Sequence, residues 1–401
     1  MNPAIIIPAY SREKALQRLL NSICSAFYHD NHKPVVIISL DGGYSEKVEV
    51  IADNFFSNMN DKFTITIIKR NINLGLRAHI IECANLGCEY GSFIILEDDL
   101  YVSKNFYLYS SICLDYYKTS DSIAGISLYS QHYNEYENLP FIPAPTSKYD
   151  IFFMQIPSSW GQAWTKEQWV NFITWYNLHK DMDLKSILEI PNSVANWPES
   201  SWKKFFSVYL ALNEKYFIYP YISHSTNFSD PGGTHNKNTV SMVQVPLDEC
   251  DSKIESLRLE QLSDNSIKYD PFMERILAKD FIYKNIKSHQ ISMDIYGSKD
   301  LSLLRKKEYA LTSKNVSKYI QKVSTNMKPI ERDFICLMSD NNKKNNFLYF
   351  TETKFIKIES KLSQKIKKTI LLSNLIFCNL QNKSFYFSYF VSLIKYIIYK
   401  K

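Results

Sequence analysis

The run Phe93-Ile94-Ile95-Leu96-Glu97-Asp98-Asp99-Leu100 constrains this chain more than any other stretch. An apolar, strand-favouring segment ends abruptly in three adjacent carboxylates. Such a segment reads as a buried central strand. Three acids at its end cannot be core, because unpaired buried charge is too costly. They belong where the strand leaves the sheet, the edge at which open α/β sheets bind ligands. Clustered carboxylate oxygens there suit a hard divalent cation, Mn²⁺ or Mg²⁺, bridging to phosphate oxygens. The alternative is an acidic turn that caps the next element.

The residues before this run supply a repeating pattern. Asn2-Pro3-Ala4-Ile5-Ile6-Ile7-Pro8-Ala9-Tyr10 reads as a short buried strand and a Pro-marked turn. Ser11 is the expected N-cap of a helix with apolar residues at helical spacing. Val35–Leu40 predicts a second strand, closed by Asp41-Gly42-Gly43. Phe63–Ile68 predicts a third, leading into Arg70-Asn71-Ile72-Asn73-Leu74-Gly75-Leu76-Arg77. A helix from about Ala78 to Leu86 then returns to the acidic strand. The order β-α-β-α-β-α-β predicts an α/β fold with a doubly wound, mostly parallel, Rossmann-like sheet. Asp41 and the Glu97-Asp98-Asp99 triplet then fall at strand carboxyl ends of one sheet.

At this point the chain resembles the GT-A-type glycosyltransferases, nucleotide-sugar-dependent enzymes with a DxD-like acidic motif. Ile7-Pro8-Ala9-Tyr10, Asp41 and Asn73-Leu74-Gly75 before a helix resemble the family-2-type bacterial transferases. Leu96-Glu97-Asp98-Asp99-Leu100 followed by Val102-Ser103-Lys104-Asn105-Phe106 is similar to the N-acetylglucosaminyltransferase I group. So is Pro157-Ser158-Ser159-Trp160-Gly161-Gln162-Ala163-Trp164-Thr165, with Ser158-Ser159 where that group carries Pro-Gly. The resemblance spans residues 3–240. It implies a GT-A fold, a nucleotide-sugar donor, most simply UDP-linked, and a divalent cation. It assigns Pro8, Tyr10, Arg12, Asp41, Arg77, Glu97 and Asp98 to the nucleotide sugar, and Asp99 and His235 to the metal. Each has a plainer reading: Asp41 as the cap of a Gly-Gly turn, Arg77 as a surface arginine, His235 as a solvent-exposed histidine of the Asp230-Pro231-Gly232-Gly233-Thr234 turn.

Inverting glycosyl transfer is a direct displacement at the anomeric carbon, so the acceptor hydroxyl needs a general base. The resembled enzymes carry an acidic pair before a tryptophan. Here the corresponding segment is Trp197-Pro198-Glu199-Ser200-Ser201-Trp202, with serines in place of the pair. Glu199, one position earlier, and Asp230 are the two candidate bases. Glu199 as the first-turn acid of a helix is the alternative. The acceptor expected is a surface polysaccharide or a lipid-linked glycan. Two rival readings remain. A sugar-nucleotide pyrophosphorylase shares the sheet plan but needs a Gly-rich loop after the first strand, and Pro8–Arg12 has no glycine. A degenerate, transferase-like binding protein is favoured by Ser200-Ser201 and opposed by the intact acidic triplet.

Composition sets the outer limits. At 401 residues, with 45% hydrophobic and 14% aromatic residues, the chain can bury a large core and is not a disordered polymer. A net charge of +6 is too modest to argue for nucleic acid. The 7 cysteines have no CxxC spacing, so neither a zinc site nor a disulfide framework is expected. The N-terminus enters a strand with no basic leader, and no run of about 18 apolar residues occurs, so neither a signal peptide nor a spanning helix is expected. This favours a bacterial cytoplasmic setting. Nine of the 10 glycines precede residue 240, and all 6 tryptophans lie between 160 and 202. The expected division is a catalytic domain over 1–290, a small accessory unit over 291–360, and a basic amphipathic tail over 361–401. That tail holds Lys361, Lys365, Lys367 and Lys368 beside two apolar stretches, which suits the surface of an anionic membrane.

Overall fold

Ala4–Ala9 forms β1, a strand buried at every position. Its successors are α1 (Glu13–Cys24), β2 (Val35–Leu40), α2 (Glu46–Met59), β3 (Thr64–Lys69), α3 (Gly75–Gly87), β4 (Ser92–Ile95), β5 (Leu100–Val102), α4 (Phe106–Tyr117) and β6 (Ile123–Ser127). The computed structural model describes residues 1–228, 230, 243–325, 327–336, 347–358 and 363. β3, β2, β1 and β4 lie side by side in that order and run parallel. The chain therefore winds outward from β1 in both directions, and the winding reverses between β1 and β4. A crevice opens outside the carboxyl ends of the strands at such a point.

Beyond β4 the sheet becomes mixed. Gln162–Thr165 inserts antiparallel between β4 and β6. Tyr216–Pro220 follows parallel to β6, then Ile151–Met154, Lys268–Tyr269 and Arg275–Ile276 complete a ten-stranded sheet. Both faces are covered, as alternation along the strands requires. Ile5, Ile7, Ile38 and Ile94 pack with Leu16, Leu19 and Leu20 of α1 and Val48 of α2. Ile6, Ile37, Phe93 and Ile95 face the other way, onto Ile80 of α3 and an aromatic cluster of Trp164, Trp169, Phe172, Phe206 and Phe217. Fully burying each such side chain contributes about 1.5–3 kcal/mol. Trp164, Trp169 and Trp202 are core residues, whereas Trp160, Trp175 and Trp197 remain partly open.

Two helix starts differ from the sequence expectation. Ser11 is not the cap of α1. Arg12 occupies that position without a side-chain cap, because its guanidinium is drawn to the acidic triplet while its carbonyl accepts from the Leu16 N–H at 3.0 Å. Helix α3 begins at Gly75 rather than Ala78, because a carboxylate distant in sequence, that of Asp41, takes up its first N–H groups.

A second sheet of four strands follows, in the order Ile291–Asp294, Tyr309–Thr312, Phe347–Glu352, Gln321–Ser324. It has its own core of Ile291, Met293, Leu311, Val323, Leu348 and Phe350, joined by Leu139 from the larger domain. Polar contacts lock it to the main sheet: Tyr296 N–H donates to Glu274 at 3.0 Å, and Lys306 pairs with Glu189 at 2.7 Å. Residues 361–401, Ser363 apart, lie outside the described residues.

Candidate active site

Strand β4 ends at Ile95, and Leu96 N–H still pairs with Ile6 across the sheet at 3.0 Å. Glu97, Asp98 and Asp99 follow at once, beside the end of β1. Asp98 is only 3% exposed. Arg12, three residues beyond β1, reaches both acids: one guanidinium nitrogen donates to Asp98 and the other to Asp99 Oδ2 at 2.6 Å. Burial works against the Arg12 charge, but Asp98 and Asp99 together raise its pKa above the ordinary value. A planar fork matched to two carboxylates is the geometry arginine serves best.

The triplet remains short of cations even so. Burial, then Asp99, push the Glu97 carboxyl up to about 8, with Arg12 and Lys203 acting in the opposite direction. Burial raises Asp98 to about 6 although Arg12 lies against it. The Glu97 side chain makes no hydrogen bond among the described residues, and Asp99 Oδ1 accepts none there. The crevice is therefore an oxygen-rich cleft with one arginine, in which additional positive charge is favourable.

Asp41 ends β2 and is 4% exposed. One oxygen accepts from Gly42 N–H at 3.0 Å and Leu74 N–H at 2.8 Å, and the other from Gly75 N–H at 3.0 Å. Its carboxylate thus holds the start of α3 against the end of β2. Asn73 completes the clasp, donating to Gly42 O at 2.8 Å. Gly42 is required there: a Cβ would lie 2.1 Å from the Ile72 carbonyl carbon. The turn reading of Asp41 accounts for these contacts. Beside the clasp stands Tyr10, 44% exposed, its hydroxyl near Gly43. Pro8 is inside β1, opposite Ser39.

The two candidate bases are both ion-paired. The Glu199 side chain is 81% exposed, 2.5 Å from Lys204 Nζ and 3.7 Å from Arg77. The Lys204 hydrogen bond, more than Arg77, holds its carboxyl below the usual range. Arg77, in the first turn of α3, also lies over the Phe205 ring. Asp230 pairs with both terminal nitrogens of Arg18 on α1, and Arg18 covers the Phe228 ring at 3.8 Å. Phe228 N–H donates to Asp99 O at 3.2 Å, which brings this segment alongside the triplet. His235 lies outside the described residues.

A second cluster at the same edge was not legible in the sequence. Lys203, at the start of helix Lys203–Leu212, is buried, pairs with Glu135, and lies between the Trp160 and Trp197 rings. Nothing local flags it, because Glu135 and Lys203 are 68 residues apart. Among the described residues no three His, Cys, Asp or Glu side chains form a metal-holding group, and no helix is long and apolar enough to cross a membrane. Arg12 takes Asp98 and one oxygen of Asp99, and Asp99 Oδ1 has no partner among the described residues.

Residues 4–146 match the family model of glycosyl transferase family 2. Among solved structures, the chain is similar to S. aureus TarS in complex with UDP-GlcNAc, at 12% identity and a TM-score of 0.37, over 60% of this chain and 62% of that one. It is also similar to the mannosyltransferase PcManGT from Pyrobaculum calidifontis in complex with GDP-Man and Mn²⁺, at 11% identity and a TM-score of 0.30, over 42% of this chain and 46% of that one. A third likeness is to GalNAc-T7 with UDP, GalNAc and Mn²⁺, at 10% identity and a TM-score of 0.36, over 54% and 42%. In each case the chain spans less than two thirds of the other protein. No curated protein matches it.

Proposed function

We propose that this chain, whose residues 4–146 match glycosyl transferase family 2, is a nucleotide-sugar-dependent, inverting glycosyltransferase. The donor is a UDP-linked sugar and the acceptor a surface-polysaccharide or lipid-linked glycan. The observation that carries the reading is the triplet Glu97-Asp98-Asp99 at the switch point between β1 and β4, with Arg12 against it. An excess of carboxylates beside an arginine suits a ligand that brings both a cation and phosphates. The pyrophosphorylase alternative loses ground, because the turn after β1 has no glycine and its arginine is spent on Asp98 and Asp99.

The donor set fits a divalent ion of the Mg²⁺ or Mn²⁺ class. Such ions take one or two carboxylates and complete their shell with phosphate oxygens and water. Asp99 Oδ1 is the carboxylate oxygen that would hold it, with Glu97 alongside. When bound, the ion offsets negative charge on the departing diphosphate. Arg12 orients Asp98 and Asp99, Arg77 stands in the first turn of α3 where phosphate oxygens are favoured, and Asp41 fixes the loop that shapes the nucleoside end. The test is calorimetric titration of UDP in Mn²⁺ buffer. Saturable heat that falls away without the metal is the expected result, and absence of heat in both buffers contradicts the reading.

The membrane part of the proposal rests on sequence alone. Residues 354–401 carry ten lysines and one glutamate. Lysines beside apolar stretches bind anionic lipid through both terms. Salt-sensitive sedimentation with anionic vesicles is expected, and a chain truncated at residue 360 should lose it while keeping UDP affinity. Sedimentation of the truncated chain as before would end the membrane assignment.

A further inference from the structure

The Glu199 side chain is largely in solvent, and Asp230 gives both carboxylate oxygens to Arg18. Glu135 is a mostly buried carboxylate that gives a single oxygen, Oε1, to Lys203. Its side chain is 19% exposed and is held by Lys203, whose own side chain is 9% exposed. The backbone around it is a local turn: Asn134 Oδ1 accepts from Tyr136 N–H at 3.0 Å and Glu137 N–H at 3.2 Å. The Lys203 ammonium lies 5.2 Å from the Trp160 ring centre and 5.3 Å from that of Trp197. The same ammonium bears on Glu97.

The chain path brings Trp160 close to the segment that follows the triplet. Gln162 is opposite Ile95 in an antiparallel pair. Trp160 comes two residues before Gln162, and its carbonyl accepts from the Ser225 hydroxyl, whose strand Ser225–Asn227 pairs with β5 just after the triplet. Gln162 is fully buried, and neither its amide nitrogen nor its oxygen has a hydrogen-bond partner. A wholly buried amide with unused donors and acceptor costs stability unless something polar and neutral meets it. Two partly open tryptophans and an anchored carboxylate are the chemistry that recognises an uncharged sugar, with an apolar C–H face and hydroxyls at its rim.

We propose that Glu135 is the catalytic residue that takes the acceptor's proton, with Trp160 and Trp197 as the walls of the acceptor-sugar subsite and Lys203 as its positioning residue. This rests on the transferase reading above. As the acceptor hydroxyl oxygen bonds to the anomeric carbon, the bond from that carbon to the diphosphate oxygen breaks, and its electron pair leaves with the diphosphate. The hydroxyl proton passes to a Glu135 carboxylate oxygen. Water in the same subsite would be activated in the same way, so donor hydrolysis reports the step without a known acceptor.

The test uses the full chain, Mn²⁺ and a panel of UDP-sugars, with released UDP as the signal and UDP affinity measured separately by calorimetry. Glu135→Gln should lose the release rate by about 10²-fold or more at unchanged UDP affinity. Glu135→Ala should regain part of its rate in added formate. Full rate in Glu135→Gln overturns the assignment, as does parallel loss of rate and UDP affinity, which marks a merely structural ion pair. Should Glu135→Gln not fold, Glu135→Asp decides: it keeps the partnership with Lys203 but withdraws the carboxylate, so full rate overturns the proposal and a rate loss at unchanged affinity supports it. A wild-type chain that binds UDP and releases it, beside an equally active Glu135→Gln, sinks this inference alone. A wild-type chain that neither binds nor releases UDP sinks the transferase reading and this with it.

Discussion

Arg12→Met should leave the chain folded at pH 5 and strongly destabilised at pH 8. Among the described residues, Arg12 is the one cation paired with the triplet, bonded to Asp98 and Asp99 together. Removing one partner of a buried ion pair typically costs about 3–5 kcal/mol, because the other charge stays buried without compensation. The pH dependence follows from the carboxyls. Glu97 is already raised to about 8 and Asp98 to about 6, above their ordinary values of 4.5 and 3.8. The folded state therefore holds protons that the unfolded chain releases, and stability falls as pH rises through those windows. Without Arg12 both folded values climb further. The penalty is then much larger at pH 8 than at pH 5, and is relieved as pH falls and the carboxyls protonate. Urea unfolding of parent and variant at the two pH values measures this. Equal destabilisation at both, or none at pH 8, contradicts the electrostatic account of the cleft.

Asp99→Ala should abolish the Mn²⁺-dependent part of UDP affinity without unfolding the chain. The substitution keeps the backbone contact, since it is the Asp99 carbonyl that accepts from Phe228 N–H. It also leaves Arg12 its stronger partner, Asp98. What disappears is Oδ1, the carboxylate oxygen that no described residue uses. Even an indirect partner of a metal ligand contributes about 10–100-fold in metal affinity, so loss of a direct ligand should remove at least that much. Calorimetry of UDP with and without Mn²⁺, in parent and variant, reads the difference. Equal Mn²⁺ enhancement in both would place the metal elsewhere.

The parts of the fold that local pattern determines were legible. Val35–Leu40 is a strand at those residues because a continuous apolar run between turn residues has no other use in a doubly wound sheet. The acidic triplet sits at the crevice because burial forbids it anywhere along β4. What was not legible depends on partners remote in sequence. The start of α3 was misplaced because its cap is a carboxylate 33 residues away from Leu74. Ser11 looked like a cap, but the pull of two carboxylates more than 80 residues distant fixes Arg12 instead. The antiparallel strand Gln162–Thr165 reads as an ordinary apolar segment, and nothing in it announces insertion between β4 and β6. Glu199 was prominent for its position before Trp202, yet Lys204 and Arg77 neutralise it at the surface. Glu135 sits in a short hairpin whose importance appears only when Lys203 is brought against it.

That the crevice between β1 and β4 activates nucleotide sugars is tested most directly by turnover. The full chain is incubated with a panel of nucleotide sugars in Mn²⁺, and free nucleoside diphosphate is measured over time. Release from at least one UDP-linked sugar, absent in metal-free buffer and in Asp99→Ala, is the predicted result. No release from any donor, or release indifferent to both the metal and Asp99, would contradict it.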